Sequence, residues 1–304
     1  MTKSARKKGQ VIIVILLILV VVLTVGLSIA TRTVTDIKLS QQTEMSQRAF
    51  NAAEAGVESV LSGQSSGTGG SYVTVGSGTT APSYNVSVQT VGGSNSPFIF
   101  NQPIVKDDTQ QIWFVGHNPD NSFNLADPDT FKSKDLYVYW GNNGQSANNT
   151  SPVSPTTPAL EVSVIYEDAT GFKTSRGAYD PNVNRATVNN FISSVDIAGN
   201  YTNSKLQFRK QIDLSTAPFN ISGIGTTTTL YALRLRLLYN DVPQLLGAQP
   251  ANVSDKFPVQ GRLISSTGNS GNVYRKVEVF ESYPSLPPIF DYVIFNGSSN
   301  TLGK

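Results

Sequence analysis

The 304-residue chain has no cysteine. Disulfides, thiol catalysis and cysteine-held zinc are therefore excluded. The only histidine is His117, set in a Gly-His-Asn-Pro stretch with no nucleophile motif beside it. A Ser-His-acid triad has no other imidazole to draw on. No G-x-S-x-G, Walker A or dinucleotide fingerprint occurs either. Aspartate and glutamate are plentiful, but no spaced pair stands out. The expectation is a surface-turn histidine, no cofactor and no enzyme. Proline is also missing until Pro82, so nothing breaks a helix in the first quarter of the sequence.

A positive excess is equally thin. The chain carries 23 Lys and Arg against 21 Asp and Glu. Four of those cations, Lys3, Arg6, Lys7 and Lys8, stand in a leader that ends at Gly9. Without them 19 basic residues face 21 acidic ones, a balance of −2. The remainder gives no support for a nucleic-acid partner. Arg234 and Arg236 share one face of a strand whose other face carries Leu233, Leu235 and Leu237. They read as a solvated sheet face, since polyanion binding by counterion release needs several such cations on one surface.

What the sequence does have is a helix in three registers. The basic leader, residues 1–9, is followed by an apolar run from Val11 to Ala30 in which Val11 to Leu23 hold no polar side chain. Thr24 and Ser28 are tolerable there, because their hydroxyls bond back to the helix backbone. About 20 residues at helical rise cover the roughly 30 Å hydrocarbon core. The cations before the segment place residues 1–9 in the cytoplasm and the rest outside. A polar, Ala-rich amphipathic stretch, Thr31 to Leu61, completes the helix, and Gly63 stands where a C-terminal cap belongs. A helix over residues 10–61 would be roughly 78 Å long at 1.5 Å per residue. The rival reading is a secretory signal cut after Ser28-Ile29-Ala30; the apolar region is long for that, and the helical pattern runs on past the site. Within the amphipathic half, Met45, Ala49, Ala52, Ala53, Gly56, Val57 and Val60 recur at offsets of three and four and draw one stripe. Small residues there suit close packing on the chain's own domain, on neighbouring subunits, or on both from different faces.

Residues 62–82 are rich in Gly, Ser and Thr and read as a linker. From residue 83 to 304 short alternating runs follow. The expected strands are Asn85–Val88, Gln111–Val115, Asp135–Trp140, Leu160–Tyr166, Leu206–Ile212, Leu230–Leu238, Val273–Tyr283 and Ile289–Phe295. One short helix is expected within Asp180–Asn190. The fold class is α+β: a long N-terminal membrane-spanning helix, then a mostly antiparallel, sandwich-like extracellular β domain. Residues 141–158 are the only plausible internal boundary, and read as a long insert in one domain. One weak metal pattern occurs: Asn118, Asp120, Ser122, Asn124, Ala126 and Asp129 fall at calcium-loop spacing. The glycine such a loop requires at its sixth position is Phe123, so a plain turn-rich loop is the commoner reading.

Basic residues, Gly9 and a long apolar helix form the layout of type IV prepilins. Arg6-Lys7-Lys8-Gly9-Gln10-Val11 and Gln47-Arg48-Ala49-Phe50-Asn51-Ala52-Ala53-Glu54-Ala55-Gly56-Val57-Glu58 carry the resemblance. The chain resembles most closely the PilX-type minor pilins and related minor pseudopilins, over about its first fifth. The resemblance implies a prepilin peptidase cutting after Gly9, with Gln10 the mature N-terminus. It also implies partners: other pilins, the pilus assembly machinery, and the cytoplasmic membrane before assembly. Position +5 is Val14 where major pilins carry Glu, and this departure points to a minor or tip subunit. The expected function is a structural subunit of a type IV pilus or pseudopilus. The alternative is a membrane-anchored module that binds a surface, glycan or DNA.

Overall fold

The computed structural model describes residues 8–64, 71–77, 81–149, 156–240 and 242–287. The helix α1 (Lys8–Leu61) comes first, followed by β1 (Val73–Thr74), β2 (Ser83–Gly92), β3 (Phe98–Ile99), β4 (Thr109–Trp113), β5 (Gly116–His117) and β6 (Phe123–Asn124). Next are β7 (Asp135–Asn142), β8 (Ala159–Asp168), β9 (Gly171–Tyr179), the short helices α2 (Val183–Asn189) and α3 (Tyr201–Ser204), and β10 (Leu206–Asp213). The last are β11 (Thr229–Leu238), β12 (Leu246–Pro250), β13 (Val259–Ser270) and β14 (Val273–Ser282). A long apolar N-terminal helix followed by antiparallel sheets makes the chain α+β. The segment 289–295, expected as a strand, lies outside the described residues.

Two compact units divide the chain. The first is Met1–Gln89 with Leu263–Val279, and the second Thr90–Arg262 with Phe280–Lys304. The division does not fall in residues 141–158. It falls inside β2, β13 and β14, so the second unit is inserted between strands of the first.

The first unit is built on α1, which runs 54 residues without interruption, roughly 81 Å at helical rise. Hydroxyls of Thr24, Thr31, Thr33, Thr35 and Thr43 donate to carbonyls three or four residues earlier, which keeps polar atoms satisfied within an apolar surface. Its last turn closes as Ser62 N–H donates to the Glu58 carbonyl and Gly63 N–H to that of Val60. From Ile12 the helix is long and apolar enough to cross a membrane, and none of its most apolar window is buried. Its C-terminal turns lie on a four-stranded sheet ordered β1-β2-β13-β14. Val57 and Val60 pack there with Val86 and Ile264, flanked by Tyr84, Val88, Val277 and Val279. The short β1 shows that the 62–82 stretch is not wholly a linker.

The second unit is a β-sandwich. One sheet is ordered β10-β7-β12-β3, the other β4-β11-β8-β9. Every neighbouring pair within both is antiparallel. Alternation decides which residues meet. Leu136, Val138 and Trp140 of β7 and Phe208 and Ile212 of β10 point inward. So do Val162 and Val164 of β8 and Leu233, Leu235 and Leu237 of β11, and all join one buried cluster. A two-stranded ribbon, β5-β6, completes the unit.

Candidate functional site

The small-residue stripe of α1 is the part of the chain with the clearest construction. Ala49, Ala52, Ala53, Gly56, Val57 and Val60 are all buried, whereas Met45 is 39% exposed with its sulfur close to Gly271. Two glycines explain how close the helix comes to the sheet. A methyl group built on Gly268 of β13 would overlap the carbonyl oxygen of Ala49 and stand 2.5 Å from the amide nitrogen of Ala53. One built on Gly56 would overlap the Ser266 hydroxyl and stand 2.7 Å from the Tyr84 ring. Backbone thus lies directly on backbone, which only small residues permit. Arg275 Nε donates to Ser46 Oγ at 2.8 Å just beyond the stripe. Glu44, Gln47, Phe50, Asn51, Glu54 and Glu58 face away and are exposed. Residues 31–44 are all exposed; Val34, Ile37 and Leu39 are 52–62% exposed.

The proposed processing positions, Gly9 and Gln10, lie in the first turn of α1. Amides in a first turn have no partner within the helix.

The calcium-spaced residues form a β-hairpin instead. Asn118 N–H donates to the Ser122 carbonyl, and the Asp120 carboxylate accepts from the Ser122 amide at 3.0 Å and from its hydroxyl at 2.6 Å. Those bonds hold Asp120 below the usual carboxylate range. Asn124 accepts from the Ala126 amide, and Asp129 pairs with Lys256 at 3.3 Å. The oxygens point into turns and ion pairs rather than toward a common centre. Among the described residues no group of three His, Asp or Glu side chains is placed to hold a metal.

His117 is not in an open turn. It belongs to β5 and stacks on Tyr283, with ring centres 4.1 Å apart and planes 12° from parallel. The edges of Trp113 and Phe123 close two further sides, at 4.7 and 5.4 Å. Burial pushes its pKa below the ordinary 6.5, and Nδ1 is buried with no hydrogen-bond partner.

The arginines of β11 are not solvated either. Arg234 is 3% exposed; it donates to Gln111 Oε1 at 2.8 Å and to the Leu286 carbonyl at 2.9 Å. Arg236 reaches Asp107 at 2.9 Å and Glu161 at 3.3 Å, and Glu161 also meets Arg176 at 3.4 Å. On the outer face of this sheet Arg236, Asp107, Glu161 and Arg176 form an ion-pair network, and Arg234 lies beneath residues 286–287. Sequence alternation placed these side chains on the correct face. It had no means of showing that residues some fifty positions later fold back over them.

A buried pair went unseen altogether. Asp180 is fully buried, and Arg185 grips it with Nε at 2.6 Å and a terminal nitrogen at 2.9 Å. The same guanidinium donates to the Thr157 carbonyl at 2.7 Å and lies 4.2 Å from the Tyr239 ring centre. Asn182 caps α2 by accepting from the Arg185 amide, so the pair is locked to the helix start. It holds the fold; nothing about it suggests chemistry.

No family model and no curated protein matches this sequence.

Proposed function

We propose that the chain is a minor pilin or pilin-like subunit that assembles through α1 into a type IV pilus or pseudopilus, at or near its tip. The observation that carries this reading is the division of labour along α1. Its last turns lie on the unit's own sheet through a small-residue stripe, while residues 12–45 leave Val34, Ile37 and Leu39 and the whole apolar run uncovered. An uncovered aliphatic rod is stable in lipid before assembly and between neighbouring rods afterwards. In this reading the chain waits in the cytoplasmic membrane with residues 1–9 inside, is cut after Gly9, and is drawn into a fibre.

A second reading is a permanently anchored binding module. The inserted β-sandwich favours it, because such a unit adds nothing to helix packing. One experiment separates the two: mass spectrometry of the N-terminus in membranes and in sheared surface fibres. A chain beginning at Gln10 and present in fibres supports the pilin reading. A chain beginning at Thr31 sinks it. A membrane-held chain that keeps its leader leaves the anchored module.

A further inference from the structure

The second unit contains a cavity of about 490 Å³, within the roughly 300–1,000 Å³ of sites that enclose small ligands. On its apolar side lie Phe98, Phe100, Leu245 and Phe257, of which Phe98 and Phe257 reach it from the buried core, with Phe98 and Phe100 edge to face at 5.0 Å. Its walls are fixed by the chain itself. Gly93 N–H donates to the Phe257 carbonyl at 2.9 Å, and Phe100 N–H to the Leu246 carbonyl at 3.0 Å. The rim loop is pinned through Asn95: its side-chain amide donates to the carbonyls of Asn252 and Asp255, and the Gln249 side-chain amide donates to the Asn95 backbone carbonyl. A cavity held open in this way needs little reorganisation on binding.

One charge lines it. Lys205 is exposed at the cavity, and among the described residues its ammonium has no ion-pair partner. Most other cations of this unit are paired: Lys134, Lys173, Arg176, Arg185, Arg209, Arg236, Lys256 and Arg262 all meet carboxylates. An apolar floor with a single free cation beside it selects a molecule with an apolar body and one negative group. A neutral apolar molecule would leave the ammonium unmatched, and a strongly charged one would bury charge against three phenyl rings.

We propose that this cavity binds an apolar monoanion of fatty-acid type, its chain against Phe98, Phe100 and Phe257 and its carboxylate on Lys205. The proposal does not depend on the pilin reading, since it concerns the inserted unit alone. The test uses the full chain in lipid nanodiscs and a dodecanoic acid with a photoreactive diazirine at its tail. The same chain ending in an alcohol serves as the neutral probe, and labelled peptides are mapped. The acid is expected to label the peptides containing Phe98–Asn101 and Phe257 saturably, and the alcohol at least fivefold less. Lys205→Glu should lower cavity labelling by the acid at least fivefold and leave labelling of residues 12–30 unchanged. Ser96→Trp, which fills the rim, should abolish cavity labelling in a protein whose circular dichroism is unaltered. Labelling confined to the apolar helix would overturn the proposal. So would equal labelling by acid and alcohol, or indifference to Lys205→Glu.

Discussion

At the scale of single residues, the chain's one imidazole is the most exposed to a change of conditions. Its folded pKa is lowered, so the unfolded chain takes up the proton first as pH falls. The stability tied to neutral His117 is present above its ordinary 6.5 and is lost as pH drops from there through the folded value. Both tryptophans, Trp113 and Trp140, lie in the sandwich and report its unfolding. The urea midpoint read from their fluorescence should fall between about pH 7 and about pH 5, and His117→Phe should flatten that fall. An unchanged slope in the variant would show that other groups set the acid limit. The buried pair makes a larger demand. Asp180→Ala strands the Arg185 guanidinium, at a cost of about 3–5 kcal/mol, and the same fluorescence titration would register it. Asp168 belongs to a milder class. The Lys173 ammonium, with help from Thr170, holds its carboxyl down to about 2. Its contribution is therefore present above 3.8 and fades only in strong acid, as pH falls toward that value.

At the scale of elements, the contact of α1 with β13 sets the sharpest test. Gly268→Val places a branched side chain where the Ala49 carbonyl already sits. Overpacking of this kind costs about 1–3 kcal/mol, and here the obstacle is backbone, which cannot turn aside. Hydrogen exchange over residues 49–60 should accelerate markedly, whereas Ile18→Leu, on the uncovered part of the rod, should leave those peptides unchanged. The same contact shows why some elements were legible and others not. The strand β11 announces itself, since Leu233, Leu235 and Leu237 alternate with arginine. α1 does so by its stripe, and α2 falls inside the stretch where a short helix is expected. The strand β13 was missed because its inward positions Ser266, Gly268 and Ser270 are small and polar. They are small because helix backbone approaches there, and that requirement erases the hydrophobic alternation by which strands are recognised. β9 and β12 were missed for a related reason: Gly177 lies against Pro218, and Gly247 against the Phe98 carbonyl.

For the whole molecule, two compact units predict two separable transitions. In scanning calorimetry of the full chain in nanodiscs, Gly268→Val should lower only the transition that is silent in tryptophan fluorescence. Asp180→Ala should lower only the other. A single transition shifted by both variants would mean that the units melt as one. The candidate sites were legible to unequal degrees. The stripe could be read because helix packing is local in sequence and repeats at a fixed offset. The cavity could not, because its lining comes from the end of β2, β3 and the loop between them, the residue before β10 and the loops either side of β12, which no spacing rule connects. The network over β11 was hidden for the same reason. Arg234 donates to carbonyls of residues 286 and 287, and only the folded chain brings them there.

The insertion also dictates an order of events during synthesis. β2 and β13 belong to one sheet, yet the Ser87 and Ser265 that bond across it are 178 residues apart. Closing so long a flexible loop carries an entropic cost that grows with its length. The sandwich needs nothing from the helix to bury its own core, so it can fold while β13 and β14 are still emerging. Once folded, it draws its two ends together and shortens the loop that the outer sheet must close. The helix-bearing unit, first to be synthesised, is therefore the last to be finished. Its helix waits with the small-residue stripe bare until the late strands arrive. A mutation that slows folding of the sandwich would then also delay completion of the helix-bearing unit, although it touches no residue of it.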